Sequence, residues 1–284
     1  MNSQNIDSQF VMIKTITLKN NLTLQYRDTG DTHAPVLIFI HGNCSSQEAW
    51  DEVIQSPLLK SYRIIAPDLP GYGLSSHITP LTNYSYTFLN YGETIAELIH
   101  YLQLKNSIFI GHSLGANILL QSAGTFSGTK GMVLINTSPI QSVVQINDAY
   151  TITKEAAVLF NESISEEELT AFAHTVLAKE TQKNSDKIKQ WMGMTDKYAR
   201  TSIAADIPNL KNEWEIIHTL PFPVAFVASK SDTFVNQDFL QHVFPKENLW
   251  KNKIHYINEG GHYLPIEAPE RLVELISEYA SQQI

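Results

Sequence analysis

The chain has 284 residues, 43% of them hydrophobic, which suits one large globular domain or a domain with an insertion. Its formal net charge is −9 and its basic residues form no cluster, which argues against nucleic acid as a partner. The first ten residues lack the features of a signal peptide, and no run of about 20 apolar residues predicts membrane insertion. The single cysteine, Cys44, excludes an internal disulfide and fits a reducing compartment, so we expect a cytoplasmic protein.

Strand-like and helix-like segments alternate along the first half of the chain. Two alternating segments, 12–18 and 22–27, predict a leading hairpin. Buried strands are then predicted at 36–40, 62–66, 108–110 and 131–135, with helices at 47–60, at 87–102 and directly after 113. This rhythm indicates a mostly parallel sheet with helices on both faces, and such sheets place reactive groups at the carboxyl ends of their strands.

The strand at 36–40 ends in His41-Gly42-Asn43, and the strand at 108–110 ends in Gly111-His112-Ser113-Leu114-Gly115. The second motif reads G-x-S-x-G, and a serine on such a strand-to-helix turn is exposed to attack a substrate. We predict that Ser113 is a nucleophile and that the backbone N–H groups of Asn43 and Leu114 form an oxyanion hole. The alternative for Ser113 is a turn serine that caps its helix, and the alternative for His41-Gly42 is a plain turn after the strand at 36–40.

The C-terminal part supplies a base and an acid for the serine. Predicted strands at 223–228 and 253–257 end in two polar loops, which contain Asp232 and His262. A serine needs a base, and the base needs a carboxylate that fixes its tautomer. We therefore predict that His262 is the base and Asp232 the acid, in an order along the chain that is typical of α/β-hydrolases. A helix near 238–243 and a final helix at 269–280 complete the pattern.

Between 139 and 220 the strand pattern gives way to helical patterns that are rich in aromatic residues. We predict a core domain of residues 1–138 and 221–284, with a helical cap at 139–220 that covers the serine and shapes an acyl pocket. The candidate pocket residues are Phe172 and Trp191 in the cap, together with His41 and Tyr263. For each cap aromatic, the alternative is packing inside the cap.

These motifs give the chain a resemblance to the α/β-hydrolases over nearly its whole length. More narrowly, it resembles the metal-independent N-acyl-homoserine lactone lactonases of that fold, which are quorum-quenching enzymes. The narrower resemblance includes the segments 41–46 and 63–73, but it depends most on Phe234-Val235-Asn236-Gln237-Asp238-Phe239 and Asn248-Leu249-Trp250. Two positions depart from it, because Asp232 stands where those lactonases have glutamate and Phe172 where they have a ligand-contacting tyrosine.

The resemblance implies a mostly parallel eight-stranded sheet with the cap inserted after the sixth strand. It further implies a serine hydrolase that opens an acyl lactone, a small-molecule substrate and no cofactor. The sequence itself shows no H-x-H, H-E-x-x-H or C-x-x-C motif, so no metal site is predicted. Three alternatives stay open: a general carboxylesterase, a carbon–carbon bond hydrolase or perhydrolase, and a ligand receptor without turnover. Either an acyl-enzyme or direct attack by water is compatible with the sequence.

Overall fold

The computed structural model describes residues 11–78 and 84–284, and its centre is one sheet of eight strands. The strands are β1 (Met12–Thr17), β2 (Thr23–Asp28), β3 (Val36–Ile40), β4 (Arg63–Pro67), β5 (Ser107–His112), β6 (Thr129–Ile135), β7 (Val224–Ser229) and β8 (Leu249–Ile257). Their order across the sheet is β1-β2-β4-β3-β5-β6-β7-β8. Strands β3 to β8 run parallel, whereas β2 is antiparallel to both β1 and β4. The predicted mostly parallel sheet is confirmed.

The helices are distributed over both faces of the sheet and over a segment above it. They are α1 (Asp51–Ile54), α2 (Phe88–Tyr101), α3 (Leu114–Gln121), α4 (Ile146–Ala149), α5 (Glu166–Val176), α6 (Gln182–Met194), α7 (Lys197–Asp206), α8 (Glu213–Thr219), α9 (Leu264–Glu267) and α10 (Pro269–Gln283). None of the described helices is both long enough and apolar enough to cross a membrane.

The central strands are buried on both faces, which explains why their sequences are apolar without interruption. In β5, Ile108 and Ile110 contribute to one hydrophobic cluster, whereas Phe109 between them contributes to the other. Successive side chains of a strand point to opposite faces, so helices on each side must cover them. Helices α2 and α3 cover one face, and α1 and α10 cover the other.

Three predicted elements differ from the structure. The helix expected at 47–60 is interrupted after α1, because Pro57 lacks an N–H and Ser56 before it is extended. The helix expected near 238–243 is one π-type turn, Phe239–Val243. Strand β8 begins at Leu249, four residues before the predicted start at 253, and its register against β7 shifts within this added part.

The segment between β6 and β7 contains α4 to α8 and adds no strand to the sheet within the described residues. Helix α5 begins with a capping box, in which Ser165 Oγ accepts from the Glu168 N–H and the Glu168 carboxylate accepts from the Ser165 N–H. A third hydrophobic cluster joins this segment to the loops above the sheet. Residues 139–220, here called the cap, thus form a helical segment that packs on loops at the sheet, and their role as a separate cap over the serine stays a prediction.

Candidate active site

Ser113 occupies the sharp turn between β5 and α3. Its backbone angles are φ 52° and ψ −119°, a conformation that costs energy for any residue other than glycine. The turn is held because the Ser113 N–H donates to the Ile135 carbonyl oxygen at 2.8 Å. A Cβ atom at Gly115 would lie 2.4 Å from the Ile40 carbonyl oxygen, so this position of the motif admits only glycine. The strain is thus built into a turn that the neighbouring strands enforce.

His262 links Ser113 to a buried carboxylate. Its Nε2 lies 3.0 Å from Ser113 Oγ, and its Nδ1 lies 2.8 Å from Asp232 Oδ2. The other carboxylate oxygen of Asp232 accepts from the N–H groups of Phe234 and Val235, at 2.8 and 3.1 Å. With Nδ1–H donating to Asp232, Nε2 is left to take the serine proton. The fold therefore brings together the three residues that the sequence order singled out.

Asn136, at the end of β6, fastens the two loops that contain the base and the acid. Its side-chain N–H group donates to the carbonyl oxygens of Gly261 and His262 at 2.9 and 2.8 Å, and its Oδ1 accepts from the Ser229 N–H at 2.7 Å. It has a φ of 44°, a conformation that asparagine tolerates better than most residues. Asn136 was not predicted from the sequence as a site residue, although an asparagine directly after a buried strand is a usable signal.

Two buried histidines hydrogen-bond to the backbone of loops around the site, His112 to the loop of the base and His41 to the loops after β3 and β4. His112 Nε2 lies 2.7 Å from the His262 carbonyl oxygen, and burial lowers the pKa of His112 to about 3. His41 accepts from the Leu69 N–H at 3.0 Å through Nε2 and donates to the Gly42 carbonyl oxygen through Nδ1, and burial lowers its pKa as well. Both rings are therefore neutral at neutral pH and orient backbone.

Asn43 and Leu114 line the same cavity as Ser113. Neither backbone N–H donates a hydrogen bond to another described residue. The loop after β3 approaches the nucleophile closely, because a Cβ atom at Gly42 would lie 3.2 Å from Ser113 Cβ. Both amides therefore lack a partner among the described residues, as the predicted oxyanion hole requires, and that role stays a prediction.

Hydrogen bonds join the catalytic loops to the cap segment. Asn43 Nδ2 donates to the Leu159 carbonyl oxygen at 3.1 Å, while its Oδ1 accepts from Tyr72 at 2.9 Å. The His262 N–H donates to the Val176 carbonyl oxygen at the end of α5, at 2.9 Å. The loop with the candidate oxyanion amide and the loop with the candidate base are therefore both held by the cap.

A mainly apolar cavity with a volume of about 80 Å³ is lined in part by Ser113 and opens to solvent. Its apolar wall combines residues of the core and of the cap: Phe88, Leu114, Ile140, Ile146, Ile152, Leu159, Phe160, Ile203, Ile207, Leu210 and Phe234. Its polar wall residues, Ser113 aside, are Asn43, Asn117, Ser138, Tyr150 and Glu213. Such a space suits the hydrocarbon part of an acyl group bound beside a serine.

The four residues predicted from sequence to form the pocket wall do not line this cavity, and that expectation is corrected. Phe172, Trp191 and Tyr263 are buried together in the hydrophobic cluster between the cap and the core. Trp191 is anchored there because its indole N–H donates to the Glu48 carboxylate at 3.0 Å. His41 is fully buried, its ring accepts from the Leu69 N–H, and it is not part of the cavity wall. The aromatic residues are cap core, the alternative weighed above.

Known proteins resemble this chain over different extents. The sequence model of the alpha/beta hydrolase family matches residues 37–275. The bifunctional esterase/perhydrolase DCH of Acinetobacter calcoaceticus is 29% identical over 100 residues, which are 35% of each chain. Protein ABHD8 of Bos taurus is 25% identical over 249 residues, 86% of this chain and 55% of that protein. The chain thus spans only about a third to a half of the length of these curated relatives.

Solved structures match almost the whole chain. A variant of the N-acyl homoserine lactonase AidH, complexed with N-hexanoyl homoserine lactone, superimposes with a TM-score of 0.86 at 22% identity, covering 96% of this chain and all of that one. The esterase EaEST of Exiguobacterium antarcticum gives a TM-score of 0.77 at 17% identity, over 95% of this chain and all of that one. At these identities, the likeness concerns the fold.

Proposed function

The chain belongs to the alpha/beta hydrolase family, and we propose that it is a serine hydrolase that opens the lactone ring of N-acyl-homoserine lactones. The observation that carries this proposal is the hydrogen-bonded series Ser113–His262–Asp232, which ends in an apolar cavity. A serine so placed has a base within reach of its proton and room for an acyl group above it. Two structural neighbours of the chain are a lactonase and an esterase, and both classes of enzyme hydrolyse an ester bond.

In the proposed reaction, Ser113 Oγ attacks the lactone carbonyl carbon while His262 Nε2 takes the hydroxyl proton. The N–H groups of Asn43 and Leu114 stabilise the oxygen that becomes negative. The ring carbon–oxygen bond then breaks, and His262 gives the proton to the ring oxygen, which becomes a hydroxyl group. A water molecule, deprotonated by His262, releases the acyl group as a carboxylate and restores Ser113. One water is added in total.

The choice of an acyl-homoserine lactone is supported by three observations. The cavity wall is mainly apolar, which suits an acyl chain, and a similarly folded lactonase has been solved with N-hexanoyl homoserine lactone. The segments Phe234–Phe239 and Asn248–Trp250 also resemble those of such lactonases. Asp232 in place of glutamate does not argue against this, because its carboxylate already accepts from His262 at 2.8 Å.

A general carboxylesterase is the second candidate, and the fold shared with the esterase EaEST favours it. Such an enzyme would use the same serine, histidine and aspartate on open-chain esters. The two candidates therefore differ in the ratio of their activities on lactones and open-chain esters, and not in their catalytic groups.

The deciding experiment is mass spectrometry of N-hexanoyl homoserine lactone incubated with the purified protein at slightly acidic pH, where spontaneous opening is slow. Lactonase action adds the mass of one water and leaves the amide intact. The same protein is assayed on 4-nitrophenyl esters of matched chain length. Slow lactone opening beside fast ester hydrolysis would assign the carboxylesterase, and cleavage of the amide would contradict both.

Ser113→Ala is the matched control for this experiment. We expect it to lower kcat by at least about 10³-fold with an unchanged circular dichroism spectrum, because the catalytic residues act as a unit. If Ser113→Ala keeps most of its activity while His262→Ala loses it, direct attack by a water that His262 activates replaces the covalent mechanism.

A further inference from the structure

One wall of the cavity is polar, and the proposed reaction does not use it. Its members are Asn117, Ser138, Tyr150 and Glu213. They come from α3, from the segment after β6 and from the start of α8, and the other residues that line the cavity are mostly apolar. A polar group inside an apolar pocket usually fixes the orientation of the ligand and provides specificity.

Glu213 is fully buried and receives three hydrogen bonds. Its Oε1 accepts from Asn117 Nδ2 at 3.0 Å and from Gln121 Nε2 at 3.1 Å, and its Oε2 accepts from the Ile140 N–H at 3.1 Å. Burial raises the pKa of Glu213 to about 7, so the neutral acid is well populated at neutral pH. A neutral carboxylic acid has a proton to donate, and no described residue accepts a hydrogen bond from Glu213.

Ser138 provides a second polar group without a protein partner. The residue is fully buried and lines the cavity, and its Oγ forms no hydrogen bond with any described residue. Its backbone is fixed, because the Ser138 N–H donates to the Tyr150 hydroxyl at 3.1 Å. A buried hydroxyl that lacks a partner destabilises the protein unless a ligand or solvent satisfies it.

Both groups lie close to the nucleophile. Asn117, which donates to Glu213, is one helical turn after Ser113, and its N–H donates to the Ser113 carbonyl oxygen at 3.3 Å. Ser138 is three residues beyond Ile135, whose carbonyl oxygen accepts from the Ser113 N–H. Ser113 and the polar wall therefore line the same cavity, and Asn117, which contacts Glu213, begins about one helical turn, roughly 5 Å along α3, from Ser113.

We propose that Ser138 and Glu213 form a hydrogen-bonding subsite that selects acyl groups with a neutral oxygen, a carbonyl or a hydroxyl, over plain alkyl chains. The ligand group is neutral because the described wall contains no lysine or arginine to balance an anion. A plain chain would bury the Ser138 hydroxyl against carbon, whereas an oxygen substituent would accept from it. The inference deepens the proposed hydrolase function, on which it rests.

The test compares hydrolysis of methyl hexanoate, methyl 3-oxohexanoate and methyl 5-oxohexanoate by the wild type and by Ser138→Ala. We expect Ser138→Ala to lower kcat/KM about fivefold for the better oxo ester and less than about twofold for the plain ester, as for loss of one neutral hydrogen bond. Comparing variant with wild type on each ester cancels intrinsic reactivity. Ser142→Ala is the matched control, since Ser142 is exposed and outside the cavity wall, and should change neither value.

Glu213→Leu tests the second member of the subsite. It should lower kcat/KM more for the oxo ester than for the plain ester, in protein that keeps the wild-type circular dichroism spectrum. If this variant does not fold, Ser138→Ala decides alone. An equal loss on plain and oxo esters, or no loss on either, would overturn the subsite.

Binding separates failure of the subsite from failure of the proposed function. If the wild type neither opens N-hexanoyl homoserine lactone nor hydrolyses an ester in a way that Ser113→Ala abolishes, the proposed function fails. Hexanamide and 5-oxohexanamide are then compared by saturation-transfer NMR. Tighter binding of the oxo amide that is lost in Ser138→Ala supports the subsite, and equal binding by both proteins rejects it.

Discussion

Asp232 illustrates how much one side chain contributes to the site. It holds the Nδ1 side of His262 and is itself held by two backbone N–H groups. Asp232→Asn should keep the fold but lower kcat by about 10⁴-fold, because an amide can stabilise the wrong imidazole tautomer. The measurement is steady-state ester or lactone hydrolysis beside circular dichroism. Asp238→Asn, at an exposed position nearby, is the control; if it proves the costlier change, the acid is assigned wrongly.

Glu213 makes the stability depend on pH. Its pKa is about 7 in the folded protein and near 4.5 in the unfolded chain. Between these values the folded protein binds a proton that the unfolded chain has lost, so the free energy of unfolding falls as pH rises, by about 3 kcal/mol in total. Urea unfolding of the wild type and Glu213→Gln at several pH values measures this. The variant should show a shallower fall, and an identical pH dependence would contradict the assignment.

The elements show which expectations a sequence supports well. The turn around Ser113 was predictable because its glycines and its position between strand and helix are local. The start of α5 was predictable for the same reason, since its capping box spans only four residues, from Ser165 to Glu168. Residues Asn136 and Glu213 were missed because their roles depend on partners about 75 to 125 positions away.

The cap aromatics were misplaced for a related reason. The helical periodicity of the sequence predicts that Phe172 and Trp191 are buried. It does not predict whether they line the cavity or pack in the hydrophobic cluster between the cap and the core, where the structure has them. In the structure, other residues of the cap line the cavity, including Phe160 and Ile203. Predictions about the acyl pocket therefore belong to these residues.

The cap elements predict a dependence on acyl-chain length. Each CH₂ buried in the cavity should add up to about 0.8 kcal/mol of binding, so kcat/KM should rise along a series of lactones until the cavity is full. Phe160→Ala removes part of the wall and should flatten this rise. Tyr198→Ala, exposed on α7, serves as the control. A flat profile in the wild type would mean that the chain does not enter the cavity.

For the whole molecule, the described residues contain no group of three or more histidine, cysteine, aspartate or glutamate residues that could hold a metal ion. We therefore expect prolonged incubation with a chelator, followed by its removal, to leave the hydrolase activity within about twofold of the untreated protein. Activity that disappears with the chelator and returns with zinc would contradict the serine mechanism. Ser113→Ala measured in parallel gives the background rate.

The contacts between the cap and the catalytic loops affect how the protein can be redesigned. Because Leu159 and Val176 offer backbone carbonyl oxygens to Asn43 and His262, the cap is part of the scaffold that aligns the reacting groups. A cap transplanted from another hydrolase to change substrate range must reproduce these two acceptors, whatever side chains it brings. Truncating the cap to admit bulkier substrates would release the base and the oxyanion loop together, so a wider entrance would be obtained at the expense of turnover.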